Sequence, residues 1–161
     1  MKTTPKFYNC LERTKNEIFS LLFQGVKRRK SKFHNVVLNT VSIEKKPEAR
    51  TVVLRNFCKD ELTLNIHSDQ RSKKIKEIIS DKNVCLVFYD EQKKIQLRVR
   101  GEAIVENSKK KSWEKLSNWS RRCYLTLDPP GKLSDNPTSG FSDEFSDIPP
   151  SKLESEMGYV N

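Results

Sequence analysis

Apolar and polar positions change period several times along the chain, and each change predicts an element. From Phe7 to about Val26, Leu11, Ile18, Leu21 and Leu22 recur at helical spacing among charges, which predicts an amphipathic helix with Gly25 as its stop. The basic run Lys27 to Lys32 then reads as a solvated connector. Phe33 to Ile43 is β-branched and alternating, the mark of a first strand. Three extended runs follow at Arg50 to Phe57, Leu62 to Ile66 and Val84 to Tyr89; the last is uniformly apolar, which predicts burial on both faces. Between the third and fourth strands, Ile75, Ile78 and Ile79 among lysines predict a short helix capped by Ser68 or Asp69. Ile95 to Val105 alternates, with Ile95, Leu97, Val99, Ala103 and Val105 on one face and Gln96, Arg98, Arg100 and Glu102 on the other.

A second amphipathic helix is predicted over Lys109 to Tyr124, with Trp113, Leu116 and Trp119 as packing anchors. From Asp128 to Pro150 the chain turns to Pro, Gly, Ser and Asp, including two Pro-Pro pairs, which predicts a long loop. Ser151 to Asn161 can add a helical turn and the beginning of a strand. The elements together predict a mainly β, α+β fold, and 161 residues suit one domain.

Composition narrows the partners. A formal net charge of +10 favours anions, whether nucleic acid, acidic headgroups or a phosphorylated small molecule. Cys10, Cys58, Cys85 and Cys123 are too scattered for a zinc site or a Cys-x-x-Cys pair and are expected to be reduced thiols. The amino terminus has no apolar signal region, and no apolar run approaches the roughly 20 residues needed to cross a bilayer, so a soluble cytoplasmic protein without membrane contact is expected.

Candidate chemistry gathers between Arg50 and Lys74. Alternation sends Arg50 and Arg55 to opposite faces of one apolar strand. Ile66-His67-Ser68 ends the next strand, and Arg71-Ser72-Lys73-Lys74 opens a helix whose first turn offers free N–H groups and a positive dipole end. With the Ser68 hydroxyl and the ammonium groups of Lys73 and Lys74, this is an anion site of the kind phosphate occupies, although lysines also start helices with no ligand present. The five glycines fit neither a Walker nor a dinucleotide pattern, and His34 and His67 have no spacing for a triad or a metal cluster. No residue stands out as a catalytic acid or base.

These residues follow one another in an order that resembles the pyridoxamine 5′-phosphate oxidase-like FMN-binding split β-barrels. The resemblance runs from about Phe33 to Val105 and is carried by ARTVVLR at Ala49 to Arg55, IHSDQRSKK at Ile66 to Lys74, CLVFYD at Cys85 to Asp90 and IQLRVRGEA at Ile95 to Ala103. It implies an antiparallel split β-barrel with flanking helices, divided into an amino-terminal helix and basic connector (1–32), an FMN-binding core with its second helix (33–127) and a loop and tail (128–161). It implies FMN as cofactor, with Arg50 and Lys74 on the phosphate, Lys73 beside it, and His67 and Ser68 holding the ribityl phosphate end. Thr51, Val52 and Val53 would line the flavin, and Gln96 would lie near the isoalloxazine ring. Arg55 matches a basic position that faces the substrate phosphate in the true oxidases. A homodimer with both flavins at the subunit interface is implied as well.

The segment KSWEKLSNWSRRCYL departs from the oxidases' substrate-binding pattern and is similar to a related subgroup with a Trp-containing helix, so activity on pyridoxamine phosphate is not implied. Met157 to Asn161 falls where the family begins its last strands, which bring a Trp and an Arg to the flavin pocket. An FMN-dependent oxidoreductase acting on a small molecule is therefore the leading expectation. One alternative is a family member that folds and dimerises without cofactor. Another is a nucleic-acid-binding module using Lys27 to Lys32 and Lys109 to Lys111; aromatic residues are sparse near those runs, which makes nucleic acid the less favoured partner.

Overall fold

β-Branched residues alternating with polar ones leave each strand one apolar face to bury, and a hairpin sheet under a helix satisfies that need. The computed structural model describes residues 4, 5, 7–106, 113 and 116–141. The chain divides into two units, Met1–His67 with Asp81–Ala103, and Ser68–Ser80 with Ile104–Asn161.

The first unit contains α1 (Leu11–Lys27), β1 (Asn35–Val41), β2 (Pro47–Cys58), β3 (Thr63–Ile66), β4 (Asn83–Asp90) and β5 (Ile95–Glu102). The strands form a curled, half-barrel antiparallel sheet in the order β3-β2-β1-β4-β5. Register sets the core: Val36 lies opposite Val52, and Leu38 lies between Arg50 of β2 and Leu86 of β4. Val36, Leu38, Val52, Leu54, Leu86 and Phe88 are buried together under Leu21 and Leu22 of α1, with Phe33 and Phe88 stacked at 5.1 Å.

Three local expectations are corrected. The helix begins at Leu11 rather than Phe7, and Leu11 itself is 90% exposed. It also runs past Gly25 to Lys27, ending where the Arg28 N–H reaches the Gln24 carbonyl. Gly25 is buried against the backbone of Phe33, and a Cβ there would overlap the Phe33 carbonyl oxygen, so the glycine permits close approach instead of stopping the helix. β4 is buried on one face only, because Leu86, Phe88 and Asp90 point inward while Tyr89 is 52% exposed. The cleanly alternating β5 pattern is as expected over Ile95 to Arg100.

In the second unit, α2 (Lys73–Ser80) buries Ile78 and Glu77. α3 (Asn118–Arg122) begins at Ser117, whose extended backbone and hydroxyl cap the Ser120 N–H at 3.3 Å. That cap interrupts the continuous helix expected up to Tyr124. Arg121 stacks over the Trp113 ring at 5.4 Å and donates from Nε to the Trp113 carbonyl. The rest of the expected helix, 107–112 and 114–115, and the tail, 142–161, lie outside the described residues. No described helix is long and apolar enough to cross a membrane.

Candidate functional site

In the first unit, Arg50 shares the inner face of β2 with Val52 and Leu54. Its guanidinium donates to Thr40 Oγ1 and to the Leu38 carbonyl, both on the neighbouring strand β1. Thr51 and Val53 point to the other face, the first exposed and the second half-buried, while the Val52 side chain is in the core and leaves only its backbone for a ligand. Arg55 follows Leu54 at the point where the β2–β3 register shifts.

Two polar atoms among the expected site residues lack any partner. Arg55 Nε and His67 Nδ1 are both buried without a hydrogen bond. Leaving such an atom unsatisfied costs about 1–3 kcal/mol, which native folds accept chiefly where a ligand or another group completes the bond. Arg55 Nε can only donate, so its missing partner is an acceptor. Burial, and secondarily the charge of Arg55, hold the His67 imidazole below its ordinary value of 6.5.

In the second unit the residues before and at the start of α2 form a hydroxyl and ammonium cluster. Lys74 Nζ donates to Ser68 Oγ at 3.1 Å, and Ser68 Oγ lies 3.0 Å from Ser72 Oγ. Ser72, 2% exposed, donates in turn to the Asp69 carbonyl at 2.6 Å. Asp69 does not cap the helix as expected: its carboxylate accepts from the Arg71 backbone N–H and grips the Arg71 guanidinium, closing a turn two residues ahead of the first helical residue. Lys73 is exposed beside this cluster.

Gln96 stands on the exposed face of β5 opposite Tyr89, in line with Arg98 and Arg100. β1 and β4 separate β5 from β2 in the sheet, so strand pairing does not set Gln96 beside Arg50 or Arg55. Two contributors escaped the sequence reading. Thr40 anchors Arg50 through strand register, which no local pattern announces, and Ser72 is joined to Ser68 across four residues, a spacing that could have flagged it. Among the described residues no group of three or more His, Cys, Asp and Glu is disposed to hold a metal ion.

Comparison with known proteins shows the family of the chain. The family described as pyridoxamine 5′-phosphate oxidase, FMN-binding domain, matches residues 16–107. The chain belongs to this family. No curated protein matches it in sequence. Among solved structures, a pyridoxamine 5′-phosphate oxidase-related, FMN-binding protein from Nostoc punctiforme superposes with a TM-score of 0.62 at 24% identity, covering 84% of this chain and 72% of that one. PhzG from Burkholderia lata, solved with tetrahydrophenazine-1-carboxylic acid, gives 0.61 at 12% identity, covering 84% and 68%. General Stress Protein 26 from Bacillus anthracis gives 0.51 at 20%, covering 66% and 76%. At these identities the likeness is one of fold, and the fold is the FMN-binding split barrel.

The residues present fit the family's cofactor chemically. A phosphate needs donors and positive charge, and the α2 cluster supplies hydroxyls, an ammonium and a helix amino terminus.

Proposed function

We propose that this chain binds FMN and acts as a flavin-dependent oxidoreductase on a small molecule, as a homodimer with both flavins at the subunit interface. The observation that carries the reading is the Ser68, Ser72 and Lys74 cluster at the start of α2, within a chain whose residues 16–107 match an FMN-binding family. In this reading Arg50 and Lys74 bind the phosphate, with Lys73 beside it and His67 and Ser68 at the ribityl phosphate end. Thr51, Val53 and the Val52 backbone line the flavin, and Gln96 approaches its ring. Arg55 Nε offers a donor to an anionic group of the cofactor or the substrate, and His67 Nδ1 offers a ring nitrogen whose role follows its tautomer. The bound flavin supplies the redox chemistry; the protein binds, orients and excludes water.

The test is direct. Purified protein is expected to be yellow and to release FMN on denaturation. In a fluorescence titration Lys74→Ala should weaken FMN binding about ten-fold or more, as loss of a charge-assisted hydrogen bond does, while Lys30→Ala, exposed in the connector, should change it little. Equal effects would show that the phosphate is held elsewhere. Colourless protein that ignores added FMN yet scatters light as a dimer would replace this reading with that of a family member working without cofactor.

A further inference from the structure

Away from these residues, α1 and the turn after β2 form an open groove of about 590 Å³. Its cations are Lys27, Arg28 and Lys59, and no carboxylate lines it. Its floor is aromatic. Phe19 and Phe23, one helical turn apart, lie 5.4 Å and 5.0 Å from the buried ring of Phe57, and Phe23 remains 40% exposed. Lys15 and Lys59 flank the Phe19 ring, with ammonium groups 5.6 Å and 5.8 Å from its centroid. Asn16, Ser20 and Gln24 complete the wall with amide and hydroxyl groups, the last two hydrogen-bonded to each other at 3.2 Å.

A ligand matched to this groove carries several negative charges, flat π faces that stack on phenyl rings, and polar edges that meet amides. A peptide of acidic residues alone meets the cations and leaves the exposed phenyl ring unused. Single-stranded nucleic acid meets all three requirements, with phosphates for the cations and bases for the rings. The chain's net charge of +10 adds long-range attraction for such a polyanion. We propose that this groove binds single-stranded nucleic acid, with Lys27, Arg28 and Lys59 on the backbone and Phe23 as a stacking platform. The inference does not rest on the flavin reading. Sequence order shows only the basic run that holds Lys27 and Arg28; Lys59 and Phe57 reach α1 only through the fold.

The experiment is fluorescence anisotropy of a labelled oligothymidylate of about 12 nucleotides against the full chain, across a salt series. Saturable binding that weakens with salt is expected. Lys27→Glu with Lys59→Glu should weaken it at least about ten-fold and flatten the salt slope. Phe23→Ala should weaken it at least about five-fold, as loss of one stacking contact does, and Phe23→Tyr should restore it. Lys46→Glu with Lys94→Glu, the same charge change on exposed hairpin turns, should cost less than about two-fold. Equal losses in the two double variants would reduce the effect to net charge and overturn the proposal. So would a duplex of the same length binding as tightly, polyglutamate competing as well as the oligonucleotide, or anionic vesicles binding through Phe23 while the oligonucleotide does not. FMN titrations of the same variants should be unchanged, so failure of either reading is seen separately.

Discussion

His67 carries a buried ring nitrogen with no partner and faces the charge of Arg55, and both circumstances oppose its protonation. A folded-state value below the unfolded one means that the unfolded chain binds the extra proton more readily. The stability linked to this ring is therefore full above about pH 6.5 and is lost as pH falls through the depressed folded value. Thermal melting between about pH 7.5 and about pH 5 should show a steeper fall for the natural chain than for His67→Gln. Gly25 offers a second test at this scale. Gly25→Ala pushes a methyl into the Phe33 backbone, and the expected cost is about 1–3 kcal/mol of stability in a denaturant melt despite the better helix propensity of alanine. Composition could point to His67 and Arg55 as charged or titratable residues. Their missing partners are a property of burial, which a linear pattern does not contain.

At the level of elements, periodicity identified every strand among the described residues and the helices α1 and α2, with boundaries shifted by a few residues where turns take over. The β2–β3 connection shows why. Leu62, read as the first residue of a strand, instead adopts φ 52° in the turn and leaves its side chain 66% exposed. A branched side chain in left-handed backbone is unfavourable, so Leu62→Gly should stabilise the fold by up to about 1 kcal/mol, measured by the urea midpoint. Strand order predicts a gradient in hydrogen exchange too. Amides of β1, paired on both sides, should be the slowest, and those of the edge strands β3 and β5 faster. The expected double burial of β4 failed for a reason of the same kind: an apolar run says that residues can be buried, and Tyr89 is left in the open because α1 and the core lie on the other face.

Across the whole molecule, the exposed face that carries Val37, Tyr89 and Gln96 is where the proposed homodimer would find apolar area to cover, since Val37 is 38% and Tyr89 52% exposed on adjacent strands. Tyr89→Glu is expected to shift light scattering from dimer toward monomer while leaving the melt of the core nearly unchanged. A yellow monomer would show that flavin binding does not need the second copy. The sequence by itself determined the β-rich family fold and the placing of Ser68, Lys73 and Lys74 at the start of one helix, because alternation and residues a few positions apart are local quantities. Tertiary structure alone decided that Thr40 anchors Arg50, that Arg55 and His67 are buried without partners, and that Phe57 and Lys59 meet α1 in a basic aromatic groove. Those outcomes depend on strand register and on which face the helix covers, and both are settled by packing between residues far apart in the chain.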